Sequence, residues 1–429
     1  MESGGKPSSA SFRVDFDALG VQAASVFTPH APVNTMDLFA GRSQQIELLA
    51  ECVAQGGIHS VVYGERGVGK TSLANIVEPL VAAIDRPEGG RSRVVVRVGA
   101  NAEDSFSSLW LRMMEDVAWE EEFPRFGFTR STNRQTVTLR EHLRVGDELT
   151  IDGVRRILGL FDRPVVVIDE FDRLAGETRA QFTDFIKALS DYSARCTLIV
   201  VGVAETLDEL LHNHASIHRA LIQIPMPRMS AAESLEILRK GEERLRVTFE
   251  PASASRIAAM SQGLPHYTHH VALHAVRSAC DRQTVRIGME HVQDAFARVA
   301  KRADRTLRES WEKATRSPQA GARFEKTLIA CAICATRSAD ASGLFQPASV
   351  ANPLAELLGR ASVEIAAYNN HLKAFTLEQR GCVLTRVGQE RAFRYRFRDP
   401  FLPPFIIMLG VAEGIVAGSL IDDLLSERE

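Results

Sequence analysis

The sequence predicts an α/β domain with a parallel sheet, followed by a small helical domain and a C-terminal module of three helices and a β-hairpin. Three observations carry this prediction. A short β-type run lies at residues 60–63, and the runs at 93–98, 164–168 and 197–203 are Val/Ile-rich and continuous rather than alternating, as expected for strands covered on both faces. Helical segments lie between them, which gives the α/β pattern. From Met229 onward the apolar residues recur at helical spacing, and strand-type alternation returns only near residues 383–398.

The 429 residues suit two to three domains, and 45% hydrophobic against 24% charged residues excludes wholesale disorder. Residues 1–35 open with MESGGKPSSASF, which has no apolar stretch of signal-peptide type and reads as a flexible segment. Residues 36–228 form the α/β domain. There, Leu38-Phe39-Ala40-Gly41-Arg42 turns into an amphipathic helix around Gln45–Leu49, and the strand 60–63 feeds a glycine loop and the helix 72–77. Residues 229–312 read as four helices, the first opened by a capping box of Ser230 and Glu233. A linker is expected over 313–322. Residues 323–400 hold helices at 324–336, 348–358 and 363–375 and a hairpin over 383–398, the pattern of a winged helix. Residues 401–429 are a tail whose apolar run at 405–420 is too short to span a membrane.

Six scattered cysteines in apolar surroundings argue against a disulfide scaffold and for a reducing, cytoplasmic compartment. Cys331 and Cys334 have CxxC spacing inside an apolar run with no second pair, so they are expected to pack in a core. His212, His214 and His218 do not share a helix face and predict no metal site.

The chemistry is concentrated in two motifs. Gly64-Glu65-Arg66-Gly67-Val68-Gly69-Lys70-Thr71 fits G-x-x-x-x-G-K-[ST] between a strand and a helix. Its backbone N–H groups can wrap a phosphate chain; Lys70 supplies a point charge to the β/γ-phosphates and Thr71 a hydroxyl to Mg²⁺, with Ser72 next to it. About a hundred residues later, Val165-Val166-Val167-Ile168-Asp169-Glu170 is a buried strand ending in two carboxylates. Asp169 is expected to hold Mg²⁺ and Glu170 to polarise the attacking water. Asp172 and Arg173, just beyond, are expected to be structural.

These motifs, with LFAGRSQQIELL and the later IHRALIQIPMPRMS, resemble in order and spacing the AAA+ P-loop ATPases of the origin-recognition and archaeal initiator branch, with affinity to STAND ATPases. The resemblance covers about residues 36–300. It implies an αβα nucleotide domain, a helical lid, a C-terminal winged helix, and ATP between lid and base. It makes Arg219 the candidate arginine finger acting in trans, in a homo-oligomer or hetero-assembly; the alternative is a surface arginine. The initiator branch has a polar sensor after the fourth strand, whereas here Ala204-Glu205-Thr206 stands in that place. Gly263-Leu264-Pro265-His266-Tyr267 is closer to the G-x-P motif of STAND ATPases, so Pro265 and His266 are candidate nucleotide contacts, or His266 merely follows a helix start fixed by Pro265.

The formal net charge of −3 hides a regional excess. Residues 301–398 carry 17 Lys/Arg against 9 Asp/Glu, a net of +8, while the first 300 residues carry −6 and the last 31 carry −5. Alternation over residues 391–398 sets Phe393, Tyr395 and Phe397 against Arg394, Arg396 and Arg398. With Lys373, Arg386 and Arg391, and with Arg380 nearby, they form a candidate comb for the phosphates of double-stranded DNA, although winged helices also dock proteins. The expected function is an ATPase that couples ATP binding and hydrolysis to assembly on DNA. The alternative is a STAND-type switch that recruits a protein through the C-terminal module. ATP, ADP and Mg²⁺ are the expected ligands, and no membrane partner is expected.

Overall fold

The structure is a computed structural model that describes residues 14–85, 93–124, 132–211, 221–317, 323–337, 343–389 and 392–417. It divides into two compact units, Pro32–Met229 and the combination of Met1–Ala31 with Ser230–Glu429.

The first unit contains β1 (His59–Gly64), β2 (Val95–Gly99), β3 (Ala118–Pro124), β4 (Thr132–Thr138), β5 (Val165–Asp169), β6 (Thr197–Val203) and β7 (Leu221–Pro225). Five of these build a parallel sheet in the order β2-β5-β6-β1-β7. The central apolar runs become buried strands because helices cover the sheet, while β2 at the edge stays half-exposed. β5 is buried along its whole length, and β6 at all but its last residue. Phe106, Trp110, Phe182 and Phe185 pack edge-on or tilted against one another, with ring centroids 4.9–6.3 Å apart. Each such side chain contributes about 1.5–3 kcal/mol when fully buried. Parallel strands all end at one edge, so the residues following β1, β5 and β6 are delivered to the same place.

The sequence did not predict β3 and β4, an antiparallel hairpin between the helices Phe106–Asp116 and Leu139–Leu143. Its described side chains are mostly exposed, so no apolar alternation marked it.

The second unit is helical. The capping box at Ser230 forms, with Ser230 and Glu233 exchanging side-chain and backbone hydrogen bonds, and opens the helix Ala231–Leu245. The helices Pro251–Met260, Pro265–Asp281 and Met289–Lys301 follow, tied by the two-residue strands β8 (Thr248–Phe249) and β9 (Arg286–Ile287). Within the leading segment that reads as flexible, Phe16–Val26 is a helix capped by Asp15, with Leu19, Ala23 and Val26 buried. Phe27 fixes its end: a Cβ on Gly241 would come within 2.1 Å of the Phe27 ring. The helix Arg305–Thr315 continues into the stretch that reads as linker.

The C-terminal module comprises the helices Phe324–Arg337, Ala351–Leu358 and Asn369–Ala374 and the hairpin β10 (Leu384–Val387) with β11 (Arg394–Phe397). Phe345 and Tyr395 exchange backbone hydrogen bonds of 2.8 and 2.9 Å beside this hairpin. The helix expected over 363–375 is replaced by a 3₁₀ turn, Ile365–Ala367, and the six-residue helix Asn369–Ala374, separated where Tyr368 leaves helical geometry. The expected tail is a buried helix over Leu402–Ala412. It is apolar on every side because it packs against both Met289–Lys301 and Phe324–Arg337. Among the described residues, no helix is long and apolar enough to cross a membrane.

Candidate nucleotide site

The loop after β1 is shaped by backbone demands. A Cβ on Gly64 would lie 2.3 Å from the Met226 carbonyl oxygen, so only glycine lets β1 turn beside the end of β7. Gly67 and Gly69 have φ of 88° and 98°, which L side chains rarely adopt. Lys70 then starts the helix Lys70–Asn75. Its ammonium folds back over the loop and donates to the carbonyls of Gly64 (3.0 Å) and Glu65 (2.7 Å). Burial lowers its pKa to about 8, against the opposing pull of Asp172, Asp169 and Glu65. These charges place Lys70 and Asp169 within electrostatic reach.

Asp169, 5% exposed, ends the buried strand β5. One carboxylate oxygen accepts from the Glu170 N–H at 2.9 Å and the other from the Arg97 guanidinium at 3.0 Å. Glu170 occupies the left-handed region at φ 55° and is exposed. Its carboxylate pairs with Arg173 at 2.7 Å. Asp172 accepts from the Val203 N–H at 2.7 Å, tying the β5 turn to the end of β6.

Four further side chains brace the loop and the helix after it. Arg42, 2% exposed, donates to the Val68 carbonyl at 3.0 Å. Arg228, beyond β7, forms an ion pair with Glu65. Ser72 accepts from the Val33 N–H and Asn75 donates to the Val33 carbonyl, each at 3.2 Å, so both backbone groups of Val33 are held beside the helix that follows the loop. The residues fit a triphosphate with a divalent cation: glycines stand at positions 64, 67 and 69 of the loop, a desolvated ammonium folds over its carbonyls, and a buried carboxylate ends β5.

The family model described as Novel STAND NTPase 1 matches residues 32–317, about two thirds of the sequence. The chain belongs to that family. Among solved structures, the STAND NTPase aligns with the Aeropyrum pernix ORC2 protein in its ADPNP-ADP complexes over 94% of this chain and 97% of that one, with 14% identity and a TM-score of 0.48. The A. pernix ORC1 protein in complex with DNA covers 89% and 95%, with 17% identity and a TM-score of 0.45. The Thermotoga maritima RuvB Holliday junction branch migration motor covers 85% and 95%, with 16% identity and a TM-score of 0.43. No curated protein matches the sequence.

The remaining candidates of the STAND NTPase lie elsewhere in the sequence. Arg219, with His212, His214 and His218, lies outside the described residues, as does Arg391. Pro265 and His266 belong to the helical unit, where Pro265 begins the helix Pro265–Asp281. The His266 Nδ1 lies 2.6 Å from the Pro29 carbonyl, which can only accept, so that nitrogen carries the proton. Glu205 is exposed, its N–H bonded to the Glu209 carboxylate at 2.8 Å.

The basic comb is partly divided. Antiparallel register sets Arg394 opposite Val387 and Arg396 opposite Thr385, on one face of the hairpin, whereas Arg386 stands opposite Tyr395 on the other. Its guanidinium lies 4.2 Å from the Phe393 ring centroid. Arg380 stacks over Phe324 and donates to the carbonyls of Ala314 and Arg316, which removes it from the comb. Lys373, Arg394 and Arg398 are exposed. Sequence reasoning missed Arg42, Arg97, Asn75 and Arg228. Arg97 alone left a signal, as a charge interrupting the apolar run Val95-Val96-Arg97-Val98.

Proposed function

We propose that this STAND NTPase binds and hydrolyses ATP with Mg²⁺ and uses its nucleotide to control assembly on double-stranded DNA. The observation that carries the reading is Lys70, desolvated and folded over the loop carbonyls within reach of the buried Asp169. Backbone carbonyls are weak partners for an ammonium, so phosphate oxygens replace them readily. The N–H groups of residues 65–71 then cradle the β-phosphate and Lys70 bridges to the γ-phosphate. Thr71 and Asp169 would hold Mg²⁺, which supplies charge neutralisation between the phosphates. Glu170, freed from Arg173, accepts a proton from the attacking water. Arg219 of a neighbouring copy delivers a guanidinium to the charge that develops at the γ-phosphoryl group, so turnover depends on assembly.

The exposed Lys373, Arg394 and Arg398, with Arg396 on the same hairpin face as Arg394, support the DNA half of the reading. The C-terminal module acts here as a winged helix, with Asn369–Ala374 facing the groove. Filter binding of duplex DNA at two salt concentrations, with and without ATP, tests it. Salt-sensitive binding that changes with nucleotide is expected, with a log–log slope of roughly −0.9 per phosphate contact. No salt-sensitive binding in either state overturns the DNA half and leaves the nucleotide half standing.

A further inference from the structure

Asp169 is claimed twice. Its side chain is 7% exposed, and a carboxylate so far from water needs a positive partner. Arg97 is that partner, at 3.0 Å from β2, which pairs with β5 so that Gly99 stands opposite Asp169. Arg97 and Gly99 lie on the same face of β2, and the arginine side chain runs along the strand to the carboxylate. The guanidinium has a second anchor. It also donates to the Asn75 side-chain oxygen, and Asn75 is itself held by the Val33 carbonyl. The fork of Arg97 thus joins the last residue of the helix after the phosphate loop to the strand that ends in Asp169.

The pair is asymmetric. The carboxylate is buried, while the Arg97 side chain is 39% exposed on the edge strand of the sheet, so the guanidinium has solvent to move into. A divalent cation held by Asp169 would compete with Arg97 for the same carboxylate, and a guanidinium beside a dication is strongly repelled. The other oxygen already accepts from the Glu170 N–H. Binding of one cation therefore weakens the hold on the other.

We propose that Arg97 is an exchangeable counter-ion of Asp169, which the carboxylate releases when a divalent cation arrives with nucleotide. Asn75 keeps the released guanidinium tethered at the site. The positive charge is then handed toward the phosphates rather than lost. Arg97 is a positioning residue here, and its effect is to raise the Mg²⁺ concentration at which nucleotide binds tightly. The inference rests on the nucleotide reading above.

The test uses the full chain, a fluorescent N-methylanthraniloyl-ATP as probe, and Mg²⁺ titrated from an EDTA-treated start. In Arg97→Gln the Mg²⁺ midpoint for tight probe binding is expected to fall about tenfold, because no charge-assisted hydrogen bond has to be broken first. Probe affinity in EDTA is expected to be no tighter than in the unaltered chain. Arg97→Lys keeps the charge but cannot span Asn75 and Asp169 together, so its midpoint is expected in between. Circular dichroism melts establish that both variants fold. An unchanged or higher midpoint in folded Arg97→Gln overturns the exchange, as does equal tightening with and without Mg²⁺. An unaltered chain that binds no probe under either condition overturns the nucleotide reading itself, and the exchange falls with it.

Discussion

In the unit Pro32–Met229, buried polar groups near the carboxyl ends of β1 and β5 are charged residues: Arg42, Lys70 and Asp169 are each below 10% exposed. In the other unit, they include a run of histidines, His269, His270, His274 and His291, along two packed helices. Both units remove polar atoms from water, but with different chemistry. Burial pushes the pKa values of His269 and His274 down to about 4 and that of His270 to about 3, so these rings are neutral and pack as polar-edged aromatics. Lys70 and Asp169 are held differently, the ammonium by loop carbonyls and the carboxylate by the Arg97 guanidinium and the Glu170 N–H. Buried charge gathered at the carboxyl edge of a parallel sheet points to a ligand, whereas buried neutral histidine points to packing.

The difference breaks first at Lys70. Lys70→Ala is expected to weaken ATP binding by more than about a hundredfold, because the charge facing the β- and γ-phosphates is lost. Helical content and melting are expected to stay close to those of the unaltered chain. Fluorescent nucleotide titration and circular dichroism measure the two effects. The opposite pattern is expected of Phe27→Ala, which removes a ring 1% exposed from its seat on Gly241, against Phe249 and His269. The loss is expected at about 3–5 kcal/mol in denaturant unfolding, with nucleotide affinity unchanged.

Glu170→Gln sharpens the chemistry within the first unit. Binding is expected to persist while phosphate release in a single-turnover assay drops by at least about a hundredfold. Equal turnover in variant and unaltered chain removes Glu170 from its role.

Acid separates the units more gently. The lowered histidine values mean that the unfolded chain takes up protons from pH 6.5 downward while the folded helices resist until about pH 4. Stability from these groups is full above pH 6.5 and is lost as pH falls toward 4. Hydrogen exchange followed from pH 7 to 4.5 should open the helix Pro265–Asp281 before β5 and β6. Above neutrality the effect moves to the first unit. Lys70 loses its proton near pH 8, and ATP affinity is expected to decline by up to about tenfold per pH unit beyond it until the pKa in the complex is reached.

The parts of the molecule that the sequence made legible are those with local physical requirements. The glycine loop needs glycine-type backbone angles at positions 64, 67 and 69, and β5 needs unbroken apolar residues because both its faces are covered. The capping box at Ser230 is four residues long, from Ser230 to Glu233. The roles of Arg42, Asn75 and Arg228 were illegible, and that of Arg97 was marked only by its charge within an apolar run, because they depend on register and side-chain reach between segments 22–163 residues apart. The helix Leu402–Ala412 reads as a tail because all-round apolarity carries no amphipathic signal. The β3–β4 hairpin hides for the opposite reason, having few apolar residues to alternate.

Isothermal titration calorimetry of the folded chain with ATP and Mg²⁺ tests the gripped triphosphate most directly. A saturable heat at one nucleotide per chain, abolished by Lys70→Ala, is the expected result. No heat with any purine triphosphate in the presence of Mg²⁺ contradicts it.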